Sequence, residues 1–162
     1  MKIYYAHSRP FYKTPIEYYD IQFLKKLGDV VNPSDEEFQN AYSKFRDGIA
    51  NMVYCGSYPE LTEKIRHPVT YSYFYSKVSE CGLVVFRSYE KDVLTYGVYS
   101  EIDYANMLGI PILEIVSGTK ENKYIRTLVE VRDFGRFKTL SKADTDKLCI
   151  EAGVPQQYME EL

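Results

Sequence analysis

Five consecutive residues, Gly82-Leu83-Val84-Val85-Phe86, carry no polar side chain. A strand that is apolar at every position, rather than at alternate ones, has to be covered on both faces, and helices flanking a mainly parallel sheet do this. The surrounding chain supplies the other parts of such a sheet. Ile3-Tyr4-Tyr5-Ala6 is a short β-prone run ended by the polar His7-Ser8-Arg9-Pro10. Asp29-Val30-Val31-Asn32 is a second short strand stopped by Pro33, and Ile112-Leu113-Glu114-Ile115-Val116 is another.

Helical patterns separate these runs. Thr14-Pro15 opens one, with Thr14 as N-cap, Pro15 at the first helical position and Glu17 at the capping-box position. Ile16, Tyr19, Phe23, Leu24 and Leu27 follow at helical spacing, and Gly28 ends it. Ser34, with Glu37 three residues on, caps a second helix running to about residue 50, where Gly48 blurs the end. Residues 51–68, punctuated by Gly56, Pro59 and Pro68, read as an insertion or lid over the sheet or equally as a connection. A helix over 69–81 precedes the apolar strand. A polar loop over 87–96 follows it. Residues 121–132 fit a helix with Tyr124, Ile125, Leu128 and Val129 inward, residues 136–140 fit a short edge strand, and Ser141 caps a final helix. Strand, helix, strand order from the start predicts right-handed crossovers.

A chain of 162 residues suits one domain, here 1–162. The formal charge of −3, with scattered Lys and Arg, leaves no basic field for nucleic acid. Three widely spaced cysteines and two histidines make neither a disulfide framework nor a zinc site, and suit a reducing compartment. No apolar run is long enough for a membrane span, and the N-terminal residues lack a signal-peptide core, so a cytoplasmic location is expected. Seventeen tyrosines and no tryptophan point to packing and interfaces.

The chain has no GxGxxG, Walker, HExxH or GxSxG motif, so no cofactor or metal site is expected. Polar residues instead gather where a parallel sheet opens. These are His7, Ser8 and Arg9 after the first strand, Arg87 and Ser88 after the third, and Gly97, Ser100 and Glu101 where the next helix begins. Glu101, placed in the first helical turn, would be favoured as an anion by the exposed N–H groups, and is equally readable as a purely structural acid. Arg9 and Arg87 have the alternative of solvated surface charge, and His7 that of a loop residue that caps or packs.

Ile3-Tyr4-Tyr5-Ala6-His7-Ser8-Arg9, the strand Gly82 to Phe86, and Gly97-Val98-Tyr99-Ser100-Glu101-Ile102-Asp103-Tyr104-Ala105 with Gly109-Ile110-Pro111 behind it resemble the nucleoside deoxyribosyltransferase-like superfamily. That group includes nucleoside 2-deoxyribosyltransferases and nucleoside 5′-monophosphate N-glycosidases, and its Gly-x-x-x-Glu-x-x-x-Ala helix start carries the catalytic glutamate. The match covers roughly residues 1–35 and 70–116. It implies a single-domain flavodoxin-like or Rossmann-like three-layer α/β sandwich with about five strands, and a small-molecule nucleoside or nucleotide as ligand. It also implies a homodimer or higher oligomer.

On that resemblance Glu101 is the nucleophile that traps an oxocarbenium-like sugar as a glycosyl-enzyme. Tyr4 or Tyr5 orients the carboxylate; strand alternation sends them to opposite faces, so one of them does, and Tyr5 is taken as the catalytic one. Ser8, Arg9 and Ser100 would hold a 5′-phosphate, which favours hydrolysis over base exchange. The resemblance departs at residues 71–82, which hold no aspartate to assist the leaving base. Base activation then comes from elsewhere, or the protein binds nucleotides without cleaving them. Asp103, two residues along the helix, points away from Glu101. A structural or interaction protein is the third reading.

Overall fold

The computed structural model describes residues 1–52, 57, 59–118, 122 and 124–159. Five strands form the central sheet: β1 (Lys2–Ala6), β2 (Asp29–Val31), β3 (Leu83–Phe86), β5 (Ile112–Ser117) and β6 (Arg126–Glu130), in the order β2-β1-β3-β5-β6. The first four are parallel. β6 runs antiparallel to β5, with Ser117 opposite Arg126. β4 (Val93–Leu94) and β7 (Lys138–Thr139) pair separately, in parallel.

The strand order decides where the helices lie. From β1 the chain steps one way to β2, then back past β1 to β3 and on to β5, and right-handed crossovers put the two directions on opposite faces. α1 (Pro15–Leu24) therefore packs on one face, with Ile3, Tyr5, Leu83, Val85 and Ile115 beneath Ile21 and Leu24. α2 (Glu36–Met52), α3 (Pro59–Ser79) and α4 (Tyr96–Met107) take the other, over Tyr4, Ala6, Val84 and Phe86. This is the expected flavodoxin-like or Rossmann-like α/β arrangement. β1 and β3 lie side by side where the winding reverses, so their C-terminal ends frame a crevice. α5 (Lys142–Glu151) packs beside α4.

Local chemistry sets the helix ends. The Thr14 hydroxyl accepts from the Glu17 N–H with Pro15 at the first position, and Ser141 accepts from the Asp144 N–H. α4 ends on Gly109 at φ 70°, with Gly109 N–H bonded to Asn106 O and Ile110 N–H to Ala105 O, after which Pro111 cannot continue a helix. The Gly-Ile-Pro sequence is thus a helix stop that delivers the chain into β5.

Several expectations are corrected. Residues 126–130 are a strand, because pairing to β5 outweighs a spacing that also fits a helix. The loop over 87–96 contains β4. α2 runs through Gly48, and α3 begins at Pro59 with Pro68 inside it, so much of the suggested lid is helix; residues 53–56 and 58 lie outside the described residues. α2 starts at Glu36 rather than on Ser34, whose hydroxyl donates to Glu17 instead. Among the described residues no helix is long and apolar enough to cross a membrane.

Candidate functional site

Glu101 lies between Val98 and Ile102 on the α4 face that, with Ala105, packs on the sheet, so helical spacing turns it inward over β1. There the Tyr4 hydroxyl donates to Glu101 Oε1 at 3.0 Å, and Glu101 is only 6% exposed. Burial, then the neighbouring Glu101 charge, pushes the Tyr4 phenol well above its ordinary range, so Tyr4 stays protonated and remains the donor. The helix-terminus argument for Glu101 is corrected. α4 starts at Tyr96, after Thr95, whose side chain makes no capping hydrogen bond, and this places Glu101 in the second turn and leaves no acid in the first. Tyr4, rather than the helix end, holds the carboxylate.

Beside this pair the loop after β1 enters the crevice. The His7 ring stacks on Tyr5 at 4.1 Å between centroids, with Nδ1 3.1 Å from Tyr5 O and Nε2 2.9 Å from Glu17 Oε2. Both partners are hydrogen-bond acceptors. Glu17 also accepts from Ser34 at 2.6 Å and from the Lys13 N–H at 3.2 Å. Burial works to raise the Glu17 carboxyl, but the hydrogen bonds from His7, Ser34 and Asn32 together with the His7 charge outweigh it and the net shift is downward. The capping box is therefore half formed: Glu17 serves His7 and not the Thr14 N–H. Ser8 shares a 2.9 Å hydrogen bond with the hydroxyl of Thr95, tying the β1 loop to the start of α4.

A cleft opens over Glu101. His7, Ser8, Arg9 and Tyr12 form one wall, with Gly97 and Val98 at the start of α4. Gln39, Tyr42 and Arg46 come from α2, and Tyr71 and Phe74 from α3. The Tyr71 hydroxyl donates to Gly97 O at 3.0 Å. Lys142, Thr145, Asp146 and Cys149 come from α5, and Gln157, Tyr158 and Met159 from the turn that follows. The α5 wall and the C-terminal turn carry no motif, and their sequence distance from the other walls hides them. Burial raises the Cys149 thiol above its usual range, making it a packing group rather than a nucleophile.

Four expected site residues are elsewhere. Tyr5 faces α1, where its hydroxyl donates to Asp20, a carboxylate with 0% exposure. Arg87 donates to the same carboxylate through Nε at 2.5 Å and Nη2 at 2.8 Å, and Arg126 through Nε at 2.5 Å. Tyr5 as the partner of Glu101 and Arg87 as a ligand contact are thus corrected: period-two alternation carries Tyr5 to the opposite face, and Arg87 is committed to Asp20. Ser88 donates to Glu114 at 2.6 Å, and Ser100 to Tyr96 O at 2.9 Å within its own helix. Asp20 is the main residue the sequence reading missed.

The cleft therefore combines a buried carboxylate on its floor, Arg9, Arg46 and Lys142 on its walls, and several aromatic rings. Among the described residues no cluster of His, Cys, Asp or Glu is placed to hold a metal ion. Comparison of the chain with protein-family models, curated proteins and solved structures gives no match.

Proposed function

We propose that this protein cleaves or transfers the N-glycosidic bond of a nucleoside or nucleoside 5′-monophosphate, with Glu101 as nucleophile. The observation that carries the reading is the Tyr4–Glu101 hydrogen bond at the floor of a cleft lying at the C-terminal end of β1. The sequence resemblance to the nucleoside deoxyribosyltransferase-like superfamily supports the reading, since Gly97, Glu101 and Ala105 fit the spacing of that family's Gly-x-x-x-Glu-x-x-x-Ala helix start. Attack by a carboxylate oxygen on C1′ expels the base and leaves a glycosyl ester, which water or a second base then resolves. Tyr4 fixes the orientation of the carboxylate. Arg9 and Arg46 are the groups suited to a 5′-phosphate. Ser8, engaged with Thr95, contributes to shape instead, and Ser100 is bonded within its own helix outside the cleft lining.

The test is base release from a panel of deoxynucleosides and their 5′-monophosphates. Turnover by the native protein and its loss in Glu101→Gln are expected, and undiminished release by that variant rejects the assignment. A second reading, a protein that binds nucleotides without cleaving them, draws on the absence of an aspartate from residues 71–82. A nucleotide that raises the melting temperature and is recovered intact after prolonged incubation supports it.

A further inference from the structure

An N-glycosidic bond breaks readily only when the departing base receives a proton, and the carboxylate on the cleft floor has none to give while it attacks. Besides His7, whose Nε2 is taken up by Glu17, the cleft has an ionisable pair on its α5 wall. Lys142 opens α5 and Asp146 lies one turn on, with Nζ 3.1 Å from Oδ2 and the side chains 26% and 30% exposed. A carboxylate bound to an ammonium carries no spare proton, whereas the ammonium carries three hydrogens. Between them Thr145 accepts the Tyr96 N–H at 3.0 Å, so α5 is fastened to the first residue of the helix that carries Glu101. The ion pair and the nucleophile are thus held on one frame. The turn after α5 adds Tyr158, whose ring meets Tyr12 edge-on at 5.4 Å, and both line the cleft with Lys142 as an aromatic wall for a flat base.

We propose, resting on the reading above, that Lys142 is the acid that protonates the departing base and that Asp146 is its positioning residue. Glu101 forms a bond to C1′ as the C1′–N bond breaks, the electron pair of that bond passes to the base, and a proton moves from Lys142 Nζ to a ring nitrogen of the base. The neutral amine regains a proton from water.

The test compares ordinary purine nucleosides and nucleotides with their N7-methylated forms, whose base already bears a positive charge and leaves neutral without an added proton. Lys142→Met is expected to lose about 10²–10⁴-fold on the ordinary substrates and less than about tenfold on the methylated ones. Lys142→Arg keeps the charge but cannot give up a proton, so it should remain as slow as Lys142→Met on ordinary substrates. Asp146→Asn should show the same selectivity more weakly. Both positions are partly exposed, and unchanged melting temperatures confirm folding. Equal losses on both substrate sets, or full rescue by arginine, overturn the proposal while leaving the glycosidic reading intact. A native protein inert on every substrate overturns both.

Discussion

Tyr4 and Tyr5 are neighbours on one strand, both with 0% exposure, and each donates its hydroxyl to a carboxylate. What surrounds the two carboxylates differs. Asp20 is enclosed on the buried face of α1 and held by Arg87 and Arg126, with Arg87 also reaching Ser117 at 3.1 Å. Glu101 lies at the floor of a cleft walled by the β1 loop and four helices. The same residue pair is thus a clamp on one face and a candidate reactive centre on the other. Access for a ligand separates them.

The largest expected effect that would sharpen this contrast is on rate. Glu101→Gln should lower base release by about 10³-fold or more while moving stability by less than about 1 kcal/mol, because glutamine still accepts from Tyr4. Asp20→Ala should do the opposite. It strands two buried guanidinium groups, so denaturant unfolding should show a loss of about 3–5 kcal/mol, with activity per folded molecule retained at low temperature. A large rate loss at retained stability in Asp20→Ala would break the contrast. Removing the hydroxyls gives smaller effects: Tyr5→Phe should cost about 1–3 kcal/mol with kcat unchanged. Tyr4→Phe should lower kcat by about tenfold through a misaligned carboxylate.

The smallest effect concerns pH. Because the folded Glu17 carboxyl is held below its ordinary value, its stabilising contribution is complete above about pH 4.5 and is lost as pH falls through the lower folded value. In Glu17→Gln this part of the acid limb should vanish, so urea midpoints would fall less steeply below about pH 4.5 than in the native protein. A limb of unchanged steepness would mean that other carboxylates set the acid sensitivity.

Most of the sheet was legible, because β1, β3 and β5 are apolar runs and Thr14-Pro15 and Gly109-Ile110-Pro111 are local signals that need no tertiary partner. β6 was not. Its pairing with β5 is tertiary, and Arg126 turns inward to Asp20, a contact 106 residues away that breaks any simple pattern. The same holds within the site. His7, Ser8, Arg9, Gly97 and Glu101 were readable because the crevice rule locates strand ends, and the structure gathers all five in one cleft. The choice between Tyr4 and Tyr5 turned on which face α1 covers, and strand order rather than composition decides that.

The alternation of β1 has a consequence for how such a chain can vary. Adding one residue between the start of β1 and Tyr4 would seat Tyr4 opposite Asp20 and carry Tyr5 past Glu101, and deleting one would seat Tyr5 opposite Glu101 and leave Ala6 opposite Asp20, so either change withdraws the donor from one carboxylate while flipping every other side chain of the strand. Substitutions can be absorbed one side chain at a time, but a change of length cannot. β1 should therefore tolerate replacement far better than insertion, and an insertion scan along the chain should find its deepest minimum there.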